Sequence, residues 1–242
     1  MKDLHSHLLY GIDDGVKSID EAILLIQNMV SSGITEIVLT PHYIENSKYN
    51  CNNKNKKVLF EELKKRIKKE NIPVSIYLGN EVFFTSNFVE LLKKKEISSI
   101  NNSKYVLFEF PMHEHYKSSQ ESLLKLISRG YVPILAHPER YKRFLENPDI
   151  AEEYLRMGVL LQGNFPSLFG KYGKGSKKLL KYYIKKGWIS FLGSDVHHDY
   201  HYNMNKLEKK LHRYNKNPEY ISDILEGNFD RVVRNESIAM IR

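Results

Sequence analysis

Cysteine is nearly absent from this 242-residue sequence, and its single thiol, Cys51, can neither close an internal disulfide nor build a thiolate metal cluster. Any metal ligands must therefore be nitrogen and oxygen. No apolar run reaches the roughly 18 residues of a membrane-crossing helix. The opening Met1-Lys2-Asp3-Leu4-His5 also lacks the apolar stretch of a signal peptide, so a cytoplasmic chain with no membrane insertion is expected. Two nucleophile motifs are missing as well. The nucleophile elbow G-x-S-x-G does not occur, and six residues after Cys51 stands Lys57 rather than the arginine of a C-x5-R phosphate loop. Serine-hydrolase and cysteine-phosphatase chemistry are thereby excluded, and Cys51 reads as a surface residue.

The hydrophobic content, 41%, is enough for a real core in one domain covering residues 1–242. The net charge of +8 is compatible with an anionic partner. Much of it sits in lysine-rich stretches such as Lys64-Lys65-Arg66, interleaved with the helical apolar positions Leu59, Leu63 and Ile67, which reads as a solvated helix face. No nucleic-acid partner is expected. Seven short apolar runs predict strands: Lys2 to His5, Ile34 to Thr40, Val74 to Leu78, Tyr105 to Phe110, Val132 to Ala136, Val159 to Gln162 and Trp188 to Leu192. Between them lie amphipathic segments with helix punctuation. Ser18-Ile19-Asp20-Glu21 forms a capping box, and Gly33, Gly130, Gly158 and Gly187 close helices. This alternation predicts an α/β protein with parallel strands, and the length favours closure into a βα barrel. After about residue 200, Leu207, Leu211, Ile221 and Leu225 mark a terminal helical cap.

Almost every strand run ends in a side chain able to bind metal: His5 and His7, then His42, Glu81, Glu109, His137, and finally Asp195 with His197. In a parallel barrel the carboxyl ends of the strands share one face, so these residues, with Asp14, converge there. The alternation in His5-Ser6-His7 sets two imidazoles on one side of an extended chain. One ion takes about three or four protein ligands, so nine candidates suffice for two or three ions.

The same residues carry a resemblance. Asp3-Leu4-His5-Ser6-His7, Gly11-Ile12-Asp13-Asp14-Gly15, Thr40-Pro41-His42, Ala136-His137-Pro138-Glu139-Arg140-Tyr141 and Gly193-Ser194-Asp195-Val196-His197 resemble the PHP (polymerase and histidinol phosphatase) superfamily, and in particular its bacterial protein-tyrosine phosphatases of capsule and exopolysaccharide loci. The resemblance implies a distorted (β/α)7 TIM-like barrel. It also implies three divalent metal ions, commonly manganese, with iron, zinc, cobalt or magnesium as alternatives. His5, His7 and Asp195 would hold the first ion, and Glu81 would bridge it to a second completed by Glu109 and His137. Asp14, His42 and His197 would hold the third, and Arg140 would engage the substrate phosphate, so that Arg140, His42 and His197 form the expected catalytic set.

One departure stands out. A further arginine that similar phosphatases often carry beyond the last ligand pair is replaced by His198-Asp199-Tyr200-His201-Tyr202, leaving His198, His201 or Lys17 to take its place. The implied activity is phosphomonoester hydrolysis with a metal-activated hydroxide as nucleophile. The implied partner is a phosphotyrosine protein, a bacterial tyrosine autokinase of polysaccharide export. A small-molecule phosphatase acting on a substrate such as histidinol phosphate, or a nucleic-acid-processing module, are the alternatives. The second H-x-H, His113-Glu114-His115, is expected at the substrate rim rather than on metal, and Phe83, Phe84 and Tyr116 are candidates to line a pocket for a phenyl ring. Asn164 is a candidate to orient water or a ligand, with loop capping as its other reading.

Overall fold

The computed structural model describes residues 1–50, 53–112 and 119–239. Cys51, His113, Glu114, His115 and Tyr116, singled out above, lie outside the described residues. The chain is α/β. Its strands are β1 (Lys2–Ser6), β2 (Glu36–Leu39), β3 (His42–Tyr43), β4 (Ser75–Leu78), β5 (Glu81–Phe83), β6 (Tyr105–Glu109), β7 (Val132–Ala136), β8 (Leu160–Asn164) and β9 (Phe191–Gly193). All pairings between them are parallel, in two sheets ordered β1-β2-β4 and β3-β5-β6-β7-β8-β9.

Two short strands beyond the expected runs give nine strands instead of seven. Pro41, which has no N–H to donate, ends the second run's ladder, and His42 just past it opens β3. Gly79-Asn80 likewise separate the third run from β5, which Glu81 opens. The last run starts later than expected, at Phe191: Trp188 to Ser190 after the preceding helix are irregular, although the Ser190 N–H donates to the Leu161 carbonyl at 2.9 Å.

The amphipathic segments form helices on the outer face: α1 (Ile19–Ser31), α2 (Asn53–Lys69), α3 (Phe88–Lys93), α4 (Ser119–Ser128), α5 (Lys142–Glu146), α6 (Ile150–Met157), α7 (Pro166–Phe169) and α8 (Gly173–Lys186). At the start of α1 the Ser18 hydroxyl accepts from the Glu21 N–H at 3.2 Å. Glu21 returns its carboxylate to the Lys17 N–H at 2.8 Å, one residue earlier than a standard capping box. Gly158 and Gly187, both with positive φ, terminate α6 and α8 as read from the sequence. The terminal cap consists of α9 (Met204–Tyr214), α10 (Pro218–Ser222) and α11 (Asn228–Val233). Leu207, Leu211 and Ile221 are buried there and Leu225 is partly buried.

Side-chain alternation along the strands divides the core. Leu4, Val38, Tyr105, Leu107, Ile134, Leu160 and Phe191 form an inner cluster closed by Phe229 and Val232 of α11. Ile37, Val106, Phe108, Leu135, Leu161 and Leu192 face the outer helices. The ends of β9 and β1 meet through backbone bonds from Asp195 N to His5 O and from His7 N to Val196 O, each 2.9 Å.

Candidate metal centre

The nine side chains read from the sequence as ligands meet at the carboxyl ends of the strands. His5 and His7 leave β1 with their Nε2 atoms 3.1 Å apart. Glu81, from β5, lies between them: its Oε2 is 3.2 Å from each of those nitrogens and 3.1 Å from His42 Nδ1. That oxygen is buried and engages none of the three in a hydrogen bond of acceptable geometry. Its partner oxygen, Oε1, is 2.9 Å from His137 Nε2. Glu109, from β6, completes this side, 3.3 Å from His42 Nδ1 and 3.7 Å from His137 Nε2. On the open side, Asp14 Oδ1 stands 3.5 Å from His42 Nε2 and 3.6 Å from His197 Nε2. Asp195 Oδ1 reaches to within 3.4 to 3.6 Å of His5, His7 and His197.

Three groups of donors are compact enough for one ion each: His5, His7 and Glu81; His42, Glu81 and Glu109; and His7, Asp14, His42 and His197. They share members, and His137 and Asp195 stand beside them rather than within them. His42 thus faces two groups, where the family resemblance gives it to one.

The electrostatics describe a site that demands positive charge. Burial pulls the His5 pKa down, but the carboxylates of Glu81 and Asp195 outweigh it and hold it at about 9. His7 is likewise held well above its ordinary value, with Asp13 the main counterweight to burial. Burial would raise Glu81, yet the imidazoles of His5, His42 and His137 keep it well below the usual carboxylate range, and His5 and His7 do the same for Asp195. Anionic carboxylates among hard oxygen and imidazole donors, with a buried oxygen that no N–H among the described residues satisfies, fit divalent cations.

Asn164 and residues that the sequence did not single out, Asp13, Gln162 and Asp3, contact these candidate ligands. Asp13 accepts from His7 Nδ1 and from the His42 N–H through one oxygen, each at 2.8 Å, and from the Gly15 N–H through the other. Gln162 Oε1 lies 2.7 Å from His5 Nδ1, its amide donates to Asn164, and Asn164 donates to Asp195 Oδ2 at 2.8 Å. Asn164 thus contacts a candidate ligand, Asp195. Asp3 accepts from the N–H groups of His5 and Ser194, and burial pushes its carboxyl up to about 6. Such orienting partners fix tautomer and ring direction in metal sites. His137 and Asp195 both adopt left-handed backbone conformations, φ 35° and 51°, which non-glycine residues rarely keep outside functional sites.

Arg140 lies next to the ligands but is engaged by one of them, donating from Nη1 to Asp195 Oδ2 at 2.6 Å. Of the three candidates for a second phosphate-binding cation, Lys17 donates to the carbonyl of Asp13, His198 sits against Glu21, and His201 is exposed. Phe84, a candidate for the pocket wall, is instead buried among Phe88, Phe108 and Phe110, while Phe83 remains partly exposed.

Parallel strands that gather imidazoles and carboxylates at their carboxyl ends define a broad class, α/β proteins with a candidate metal centre at the strand ends. The chain belongs more narrowly to the family described as capsular polysaccharide synthesis, CpsB/CapC, whose sequence pattern matches residues 1–234. It is 37% identical over 197 residues to the Staphylococcus aureus protein CapC, a match covering 81% of this chain and 77% of that protein. Among solved structures it is similar to one reported with the metal-dependent tyrosine phosphatases YwqE from Bacillus subtilis and CpsB from Streptococcus pneumoniae. The TM-score is 0.88 at 27% identity, over 100% of this chain and 97% of that one. Histidinol phosphate phosphatase from Lactococcus lactis shares the fold, with a TM-score of 0.58 at 16% identity over 87% of this chain and 93% of that one. Among the described residues no helix is long and apolar enough to cross a membrane.

Proposed function

We propose that this chain is a metal-dependent protein-tyrosine phosphatase whose substrate is an autophosphorylated bacterial tyrosine kinase of polysaccharide export. The observation that carries the reading is the convergence of five imidazoles and four carboxylates on one face, centred on a Glu81 oxygen that three imidazoles approach and none satisfies. The similarity to metal-dependent tyrosine phosphatases over the whole chain supports the substrate class. Residues 1–242 act as one domain, working in the cytoplasm. The two sheets form a distorted (β/α)7 barrel, a reading supported by the backbone bonds between Asp195 and His5 and between His7 and Val196.

His5, His7, Asp14, His42, Glu81, Glu109, His137, Asp195 and His197 would hold three divalent ions, manganese being the preferred species. When bound, such ions neutralise phosphate oxygens and lower the pKa of water to supply a nucleophile near neutral pH. The chain's own residues do the rest. Glu81 faces His5, His7 and His42 with one oxygen and His137 with the other, so a single side chain ties both halves of the site together. His42 and His197, on either side of Asp14, stand at the open edge where a phosphorylated side chain arrives. Arg140 keeps one donor on Asp195 and directs others to the phosphate, adding the fixed positive charge that a dianionic ester needs in a phosphoryl-transfer transition state. A phenolate departs with little help from an acid, so the site requires no dedicated proton donor.

The test strips purified protein with EDTA, reloads it with Mn2+ and compares a phosphotyrosine peptide with histidinol phosphate. Manganese-restored hydrolysis of the peptide is expected. A preference for histidinol phosphate would keep the centre and move the substrate to small metabolites, and hydrolysis unaffected by EDTA would end the metal reading.

A further inference from the structure

Arg140 is held on two sides. Nη1 donates to Asp195, and the guanidinium carbon lies 4.3 Å from the centre of the Tyr172 ring, within the range of a cation–π contact. Tyr172 caps the start of α8 and is partly exposed, at the edge of the centre. Its hydroxyl reaches the same Asp195 oxygen at 3.4 Å, so ring and hydroxyl close a triangle with the guanidinium and the carboxylate. Asn164 donates to that oxygen as well, which anchors Asp195 independently of Tyr172. Among the described residues the guanidinium makes no other hydrogen bond, although it carries five N–H donors, and its side chain is 25% exposed.

A guanidinium fixed by one carboxylate bond alone can still pivot about that bond. A ring packed on its face removes the pivot and sets the plane in which the free donors lie. Bidentate recognition of phosphate depends on that plane, because the two parallel N–H groups must meet two oxygens together. We infer that Tyr172 is a positioning residue that holds the Arg140 guanidinium in the plane required to grip the substrate phosphate. In a chain without an arginine between Arg156 and Arg213, fixing the arginine beside the ligands compensates for a second one beyond the last ligand pair. The inference rests on the reading of Arg140 as the phosphate-binding residue.

The test measures, by calorimetry on the manganese-loaded protein, the affinity for a peptide carrying a non-hydrolysable difluoromethylphosphonate analogue of phosphotyrosine, with metal content determined in parallel. Tyr172→Leu is expected to weaken binding about tenfold with metal content unchanged, whereas Tyr172→Phe, which keeps the ring, stays within about twofold of the parent. Arg140→Lys separates the two levels of the argument, since a point charge cannot supply the planar fork. If Arg140→Lys leaves affinity intact, the phosphate-binding reading fails and takes the inference with it. If Arg140→Lys weakens binding while Tyr172→Leu does not, the inference alone is wrong. Equal losses in Tyr172→Phe and Tyr172→Leu would assign the effect to the hydroxyl, and loss of metal in Tyr172→Leu would make the residue part of the metal centre; either result overturns the stack as the cause.

Discussion

Asp13 and Asp14 are adjacent carboxylates with opposite fates. Asp13 is buried, with three N–H donors converging on its two oxygens, whereas Asp14 is exposed at the mouth of the centre. Replacing Asp13 by Asn turns one acceptor into a donor, against the backbone N–H groups of His42 and Gly15, which can only donate, so one of those two contacts is released and the His7 tautomer is no longer fixed. Asp13→Asn is therefore expected to weaken manganese binding about 10- to 100-fold, read by metal titration of the stripped protein. Unchanged affinity would show that Asp13 orients nothing. The candidate ligands other than Asp14 could be located from the sequence because each lies at or just beyond a strand end or start, where the chain direction fixes the destination. Their orienting partners could not. Asp13 looks like its neighbour, Gln162 like any strand residue, and Tyr172 like one of sixteen tyrosines. Only packing distinguishes them.

At the level of elements, the strand ends come so close that some positions admit no side chain. A methyl group at Gly193, the last residue of β9, would lie 2.7 Å from His5 Cβ and 2.8 Å from Gln162 Nε2. Neither neighbour can retreat without moving a ligand, since Gln162 holds His5 through Nδ1. Gly193→Ala is expected to destabilise the protein by about 1–3 kcal/mol, measured by urea denaturation, and to displace His5 from its partners. A stability equal to the parent would mean that the strand ends are looser than these distances allow. Helix punctuation was legible because capping is local: Ser18, Gly158 and Gly187 act through atoms a few residues away. The short strands β3 and β5 after the second and third runs were not. Asn80 explains one of them, its amide donating to the Pro41 carbonyl at 2.9 Å while its oxygen accepts from the Ser98 N–H and from buried Lys56. That node ties the starts of β3 and β5 and α2 together just before His42 and Glu81, and no pattern along the chain reveals it.

For the whole molecule, an alternation of strands and helices foretold parallel sheets, and ligands scattered over about 190 positions of sequence were expected on one face, where they now stand together. Which ligand faces which neighbour depends on side-chain directions that a strand-end rule does not contain, and His42 faces two donor groups for that reason. The basic charge, by contrast, lies partly on α2 and does not identify a partner. The central claim is that these nine residues form a multinuclear metal centre. An anomalous difference map, recorded near the manganese absorption edge from crystals of the manganese-loaded protein, tests it most directly. Three peaks bounded by His5, His7, Asp14, His42, Glu81, Glu109, His137, Asp195 and His197 are the expected result, and a map without peaks among these side chains would contradict the account.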